Sequence, residues 1–487
     1  MNQAIDNIST RAKASPRYRW FILATVSIGT FMATLDSSIV NVALPTISGK
    51  LHTDLSTLQW VVTAYLLTIS SLLPVFGRIA DLLGRKRIFS LGFLVFTIGS
   101  ILCGLATNIW FLIGMRVLQA IGASMLMANS AAIIIANFPP KERGQALGLT
   151  GTVVALGSLT GPALGGVLVG LLNWRSIFYI NLPIGILGYL AARIILPHDK
   201  PQQNKETFDF VGALFFTIGM TSLLFSISNG QSWGWRSYPI LGGLFLGTLS
   251  LAFFFYTELR VPNPMIDLSL FRIRPFFIGN FTGLLSFVAM FANTMLMPFY
   301  LQHVLSYSPT RVGLLMTAFP LTMAIIAPIS GKTSDRIGPI ILTTSGLFIT
   351  SLGLFYLSTL TATSLFWQIV PGLLLMGLGT GLFQSPNNSS VMSSVPPQKL
   401  GVAGGINALV RNVGMVIGIA FSVSLFENRQ ASLLTGLNAP TAVQQVNAFV
   451  GAYHTVMLAA MGIAILAALI SLNRKGYRRS EISRGNS

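Results

Sequence analysis

The sequence predicts an all-α integral membrane protein, with two repeated six-helix bundles, two inserted helices and fourteen spans. Three observations carry that reading. Of 487 residues, 52% are hydrophobic and 9% charged, against roughly 25% charged in soluble domains; mean hydropathy is +0.70. So little charge cannot cover a water-soluble surface. Apolar runs of about 20 residues, enough to cross a hydrocarbon core, recur along the chain. Finally, sequence features repeat at an offset of about half the chain's length.

The spans fall near 18–44, 57–77, 88–107, 109–137, 145–171, 176–196, 210–229, 239–257, 276–302, 311–331, 340–360, 366–394, 402–426 and 451–472. Membrane barrels alternate polar and apolar residues with period two; these runs do not, so they are helices. The first run contains Asp36 and is too long for a signal-peptide core, so it reads as a retained span. An even count puts both termini on one side. Nearly all loop Lys and Arg fall on that side. The alternate segments hold only Lys50, Arg175, Arg236, Arg311 and Arg429. Cytoplasmic loops carry the excess of Lys and Arg, so both termini are expected in the cytoplasm. The net charge of +18 is accounted for by these loops, and no nucleic-acid partner is expected. The lone cysteine, Cys103, has no disulfide partner and reads as a small buried hydrophobe.

The repeat defines the domains. Gly77-Arg78-Ile79-Ala80-Asp81-Leu82-Leu83-Gly84-Arg85 recurs as Gly331-Lys332-Thr333-Ser334-Asp335-Arg336-Ile337-Gly338-Pro339. Pro139-Pro140-Lys141-Glu142-Arg143-Gly144 recurs as Pro396-Pro397-Gln398-Lys399-Leu400-Gly401, and Pro45 pairs with Pro298. The chain therefore divides into a tail (1–17), a six-helix bundle (18–196), inserted helices with linkers (197–275), a second bundle (276–472) and a basic tail (473–487).

Charges inside the spans point to chemistry. Asp36 lies midway along span 1, where a carboxylate is costly unless paired, hydrated or protonated. That is the profile of a proton carrier; the alternative is a carboxylate held permanently by neighbours such as Ser37 and Ser38. Arg116 in span 4 needs an acceptor, and Asp36 is a candidate, as a proton-dependent contact or a static pair. Arg411 in span 13 either lines a cavity or pins helix ends. In span 5, Gly157, Gly161 and Gly165 form a smooth stripe for close packing, and Pro162 bends the helix. Such a helix suits a rocking surface. In the repeated loop, Gly77, Arg78, Asp81, Gly84 and Arg85, with Asp335 and Arg336 opposite, are expected to latch helix ends by charge-assisted bonds. Asn41, Gln119, Asn129, Gln384, Asn387, Asn388 and Asn407, with Phe291, Met295 and Arg411, are candidate lining for a greasy, adaptable cavity.

These motifs resemble the major facilitator superfamily along essentially the whole chain. Gly77–Arg87 is similar to its loop 2–3 motif and Arg116–Gly122 to its span 4 motif. Gly157–Gly166 is similar to its span 5 antiporter motif. Leu35–Pro45, with fourteen spans, resembles the fourteen-span drug:proton antiporter family of multidrug efflux transporters. The resemblance implies proton-coupled export of amphipathic drugs or toxic metabolites across the cytoplasmic membrane by alternating access. Asp36 would carry the proton, Arg116 would support its exchange and Gly161-Pro162 would govern the swing. It implies a monomer whose partners are a small amphipathic substrate, protons and the lipid bilayer, with no cofactor or metal beyond the proton gradient. Some family members carry a further carboxylate in span 10 or 13 for divalent cations; none lies deep in either span here.

A second reading keeps the fold but dedicates it to one substrate, such as a lipid, siderophore or antibiotic. An integral-membrane enzyme or receptor is a third. The four histidines (His52, His198, His303, His454) are scattered, no nucleophile–base pairing is visible, and the longest expected loop, 427–450, is short for a signalling domain. An enzyme is therefore not expected.

Overall fold

The computed structural model describes residues 17–139, 142–197, 210–260, 267–396, 399–437 and 439–474. The tails 1–16 and 475–487, Pro140 and Lys141 of the repeated motif, and their counterparts Pro397 and Gln398 lie outside the described residues, as do Lys200 and Lys205. Fourteen helices are long and apolar enough to cross a membrane: α1 (Tyr18–Leu51), α2 (Leu55–Leu83), α3 (Arg85–Gly104), α4 (Ile109–Asn137), α5 (Gln145–Leu171), α6 (Ser176–Ile195), α7 (Val211–Trp233), α8 (Tyr238–Glu258), α9 (Arg274–Val304), α10 (Pro309–Ile337), α11 (Pro339–Leu357), α12 (Phe366–Ser393), α13 (Leu400–Leu434) and α14 (Ala442–Ser471). No strand occurs among the described residues.

Several helices outrun the apolar segments that announced them. α1 continues past Pro45 and stops at His52, whose left-handed backbone lets its N–H donate to the Ser48 carbonyl. α14 begins well before the expected 451, because Thr441 and Gln444 form a reciprocal capping box that satisfies two orphan donors. α13 runs to Leu434. The expected 427–450 loop is thus mostly helix. Two tight turns between spans use glycine at positive φ: Gly84 (97°) separates α2 from α3, and Gly338 (85°) separates α10 from α11. The two occupy corresponding places in the repeat, and a side chain would be strained at either.

α1–α6 pack on one another as one bundle and α9–α14 as another. Glycines permit the closest crossings. A Cβ on Gly122 of α4 would meet the Phe96 backbone, with Phe96 Cα at 2.7 Å, and one on Gly99 of α3 would sit 2.7 Å from Gln119 Cα. The inserted helices are placed unequally: α7 packs against α2, α13 and α8, whereas α8 leans chiefly on α7. Ser71 of α2 and Thr221 of α7 share a 3.2 Å hydrogen bond, and Trp60 packs on Phe225 with centroids 5.2 Å apart.

The bundles meet at the end of the molecule where α1 finishes, here the far end. Gln302 of α9 donates to the Val42 carbonyl (3.0 Å) and Thr310 of α10 to the Gly166 carbonyl (3.2 Å). A Cβ on Gly166 would lie 2.9 Å from Gly313 Cα. At the near end α5 has no such neighbour. Gly148 lies about five turns from Gly166 on the same helical face, yet nothing lies within 4 Å of a Cβ built there. α5 and α10, which touch at the far end, therefore part toward the near end, opening a gap between the bundles along that seam.

Two substitutions test the crossing. Gly122→Ala is expected to destabilise the protein by about 1–3 kcal/mol, since overpacked backbone cannot yield. Gly114→Ala in the same helix meets nothing within 4 Å and should be neutral or stabilising by up to about 1 kcal/mol. Thermal unfolding of the purified protein in detergent reads both; equal effects would contradict the packing described.

Candidate functional site: a buried ion pair beside an open gap

Asp36, Arg116, Gln119 and Asn181 are all 0% exposed and come together from α1, α4 and α6. Arg116 Nη1 donates to Asp36 Oδ2 at 2.5 Å. Gln119 Nε2 donates to Asp36 Oδ1 at 2.8 Å, and Asn181 Nδ2 donates to the same oxygen at 3.0 Å. Gln119 lies one turn beyond Arg116, so one helix face presents both donors to α1.

The arginine is itself anchored. Its Nε donates to the Val61 carbonyl (2.9 Å), Nη1 also reaches Gln119 Oε1 (2.6 Å), and the guanidinium carbon lies 4.1 Å from the Tyr65 ring centroid. Nη2 has no partner. Asn181 is placed by Ser100, whose hydroxyl accepts from Asn181 Nδ2 (3.0 Å) and donates to the Phe178 carbonyl (2.8 Å). α6 is interrupted at Ile180, just before Asn181 and near Pro183, which has no N–H to continue the ladder. The Asp36–Arg116 pairing is the one weighed in the sequence. Asn181 and Ser100 were missed: a lone Asn before a proline reads as a helix break, and its meeting with α1 is purely tertiary.

Ser37 and Ser38, the expected helpers of Asp36, do not contact it. Ser37 donates to the Thr34 carbonyl (3.0 Å) and Ser38 to the Leu35 carbonyl (3.0 Å). Helical serines commonly bond back to the preceding turn in this way. Ser38 also reaches the Gly157 carbonyl of α5 (3.2 Å). This ties α1 to the glycine stripe, where a Cβ on Gly157 would lie 3.2 Å from the Leu35 nitrogen, on Gly161 3.0 Å from the Ile39 nitrogen and on Gly165 2.9 Å from the Ile39 carbonyl oxygen. Pro162 lies within α5, and its carbonyl faces Gly313 of α10.

The latch candidates sit at the near end. Arg85 donates to Asp81 Oδ1 through Nη2 (2.8 Å) and Nε (3.0 Å), and through Nη1 to the Ala132 carbonyl of α4 (3.3 Å). In this conformation that bridge closes within the first bundle. Gly77 and Arg78 are half-buried on the same helix end, and Asp335 and Arg336 are exposed. Nearby, Lys399 lies 2.5 Å from Asp267 and holds its carboxyl below the usual carboxylate range.

The expected cavity lining divides. Gln119 belongs to the ion-pair cluster. Asn41, Asn129, Phe291 and Met295 are buried; Asn129 spends its amide on the Met125 carbonyl (2.7 Å) and Asn41 on that of Ser37 (3.3 Å). Asn387 is also buried, bonded to the Gly279 carbonyl (3.1 Å) and to Arg474. The three amides are thus bonded within their own bundles, while Phe291 and Met295 belong to a hydrophobic cluster that also includes Ile39 and Val40 of α1. Gln384 and Asn407 are half-buried and Asn388 is exposed; Asn407 donates to Asn388 at 3.0 Å, linking α13 to α12. Arg411, one turn from Asn407, is half-buried.

Helices arranged in this way define a membrane transporter, and sequence comparison identifies its kind. The model of the Major Facilitator Superfamily matches residues 26–419, so the chain belongs to that superfamily: it is a multi-pass transporter, not an enzyme. It is 38% identical over 413 residues, 84% of this chain and 89% of the relative, to riboflavin transporter RibZ of Clostridioides difficile. It is 35% identical to multidrug resistance protein Stp of Mycobacterium tuberculosis over 83% of this chain and 75% of the relative. Among solved structures, a bacterial homologue of the human lysosomal transporter Spinster, in an inward-facing and occupied conformation, aligns with a TM-score of 0.66 at 15% identity, covering 95% of this chain and 97% of that one. That likeness is one of fold.

The pair makes a thermodynamic prediction. Arg116→Met leaves the Asp36 carboxylate buried without its cation and is expected to cost about 3–5 kcal/mol. Asp36→Asn, combined with it, should recover much of that loss. Thermal unfolding of the two single variants and the double variant gives the coupling, and additive losses would count against a shared interaction.

Proposed function

We propose that this chain is a proton-coupled antiporter that exports amphipathic compounds across the bacterial cytoplasmic membrane by alternating access. Asp36 carries the proton, both termini lie in the cytoplasm, and no cofactor is needed. The observation that carries this reading is a fully buried carboxylate, midway along α1, held by charge-assisted bonds from a second helix. Protonating Asp36 removes the charge that Arg116 grips and weakens that grip; losing the proton restores it. α1 also contacts α5 and, at the far end, α9 and α10. A change at Asp36 is thus made on the helix that joins the bundles.

The driving force suffices. A proton moving inward supplies about 2.3 kcal/mol per 100 mV, and each pH unit adds about 1.4 kcal/mol. With the Lys- and Arg-rich end in the cytoplasm, the near-end gap faces inward and admits substrate from the cell interior. The similarity to a riboflavin transporter favours a second reading, in which the same cycle serves one dedicated substrate. Breadth of transport separates the two.

The test is proton exchange in energised everted vesicles, with the pH gradient followed by a quenched dye. Some members of a panel of lipophilic cations, neutral drugs, flavins and organic anions are expected to release protons with the wild type and not with Asp36→Asn. Release that persists undiminished in Asp36→Asn would remove Asp36 from the coupling path.

A further inference from the structure

Two arginines lie deep within the spans. Arg116 is neutralised by Asp36 at 2.5 Å. Arg411 is not: no hydrogen bond, ion pair or aromatic contact ties it to another described residue. It lies on α13 about 16 Å from that helix's near end, at 1.5 Å per residue. The residue is partly accessible whereas Asn412 and Gly414 beside it are buried, so it lies on an accessible side of α13 rather than in a packed core. On the same stretch, Gly401 and Gly405 have nothing within 4 Å of a built Cβ, and Gly404 meets only the Met392 methyl at 3.7 Å.

A partnerless guanidinium at this depth is costly. The described acids do not compensate it. Asp36 is committed to Arg116. Asp81, Glu142, Glu258, Asp267 and Asp335 sit at near ends of helices, and Asp54 and Glu427 sit toward the far end. A guanidinium at this depth avoids lipid, which assigns its accessible side to the gap between the bundles; left uncompensated by the described acids, it would concentrate anions there and repel cations.

We infer that Arg411 is the receptor for an anionic group on the transported molecule, and that the gap selects amphiphilic anions over neutral or cationic analogues. This rests on the reading of the gap as the substrate path. The planar guanidinium fork matches a carboxylate, sulfonate or phosphate in two-point contact. Asn407, one turn away on α13 and bonded to Asn388, supplies a neutral amide, and Met392, beside Gly404 two turns away, offers an adaptable apolar contact for the rest of the molecule.

The test uses a matched pair of probes, anilinonaphthalene sulfonate and its uncharged parent phenylnaphthylamine. Binding to the full chain in zwitterionic-lipid nanodiscs is read by fluorescence, with empty discs subtracted. No proton gradient is present, so failure of proton coupling leaves this measurement intact. Wild type is expected to bind the sulfonate at least about ten-fold more tightly than the parent, the size of a charged hydrogen bond. Arg411→Gln should abolish that preference while changing affinity for the parent less than about two-fold, and Arg411→Lys should keep most of it. Arg411→Glu should turn the preference toward ethidium, a cation. The inference fails if wild type shows no saturable sulfonate binding or no preference for it. It also fails if Arg411→Gln weakens both probes equally or if Arg411→Lys behaves as Arg411→Gln.

Discussion

A carboxylate placed in the middle of a membrane helix has to be met by donors, and most of the first bundle is arranged around that requirement. Asp36 is met by Arg116 and Gln119 from α4 and by Asn181 from α6, and each of these is fixed in turn. Val61 and Tyr65 of α2 hold the arginine, and Ser100 of α3 holds the asparagine. Five helices thus converge on one charge. The close crossing of α3 and α4 belongs to the same arrangement, because Gly99 is the residue that lets α3 lie against the backbone of Gln119. Removing the cation alone would leave a buried, uncompensated charge, and the penalty for that exceeds the net worth of the pair. A pair of this kind contributes little net stability of its own, which suits the switching role proposed for it.

The ion pair lies on the helix that also packs on the glycine stripe. α1 meets Arg116 through Asp36 and meets α5 through Thr34, Leu35, Ser38 and Ile39. On α5 the opposing residues are Gly157, Gly161 and Gly165, which allow backbone-to-backbone approach without side chains to interlock. Three residues of α5 beyond Gly157 (Pro162, Gly166 and Gly170) face α10. α5 therefore bears on α1 with one part of its surface and on the opposite bundle with another. Interlocking side chains at these crossings would favour one packing; smooth surfaces let two packings be close in energy, as alternating access requires.

Sequence gave access to this arrangement unevenly. Span number was legible because a bilayer demands length and hydrophobicity and little else. The second bundle was legible because Gly84 and Gly338 hold the same positive-φ turn at corresponding places. The Asp36–Arg116 contact was accessible since two buried charges with few alternatives must find one another. The donors Asn181 and Ser100 were not, because small polar residues are common in membrane helices and their role depends on which helix happens to face them. Ser37 and Ser38 mislead for a local reason: a helical serine finds a carbonyl on its own preceding turn before it can reach a side chain. Asn129 and Asn387 mislead in a similar way, with their amides absorbed by backbone carbonyls of their own bundle.

The inserted helices bear on how the bundles can part. Besides the far-end contacts of α1 with α9 and α10, the bundles meet along two flanking seams, one between α2 and α13 and one between α5 and α10. α7 lies over the first, touching both α2 and α13, and α8 backs it. Among the described residues nothing lies within 4 Å of a Cβ built on Gly148, at the near end of the second. A bundle pair clasped along one seam and bare along the other parts most easily on the bare side, since separation at the clasped seam must strip α7 from one bundle or the other. Ser71–Thr221 and Trp60–Phe225 are among the contacts such stripping would break. Gly166, Gly170 and the Pro162 carbonyl line the bare seam against α10, while the glycine stripe of α5 faces α1 within the first bundle. Small residues are thus placed at the bare seam, and side-chain interlock is placed at the seam that the inserted pair holds.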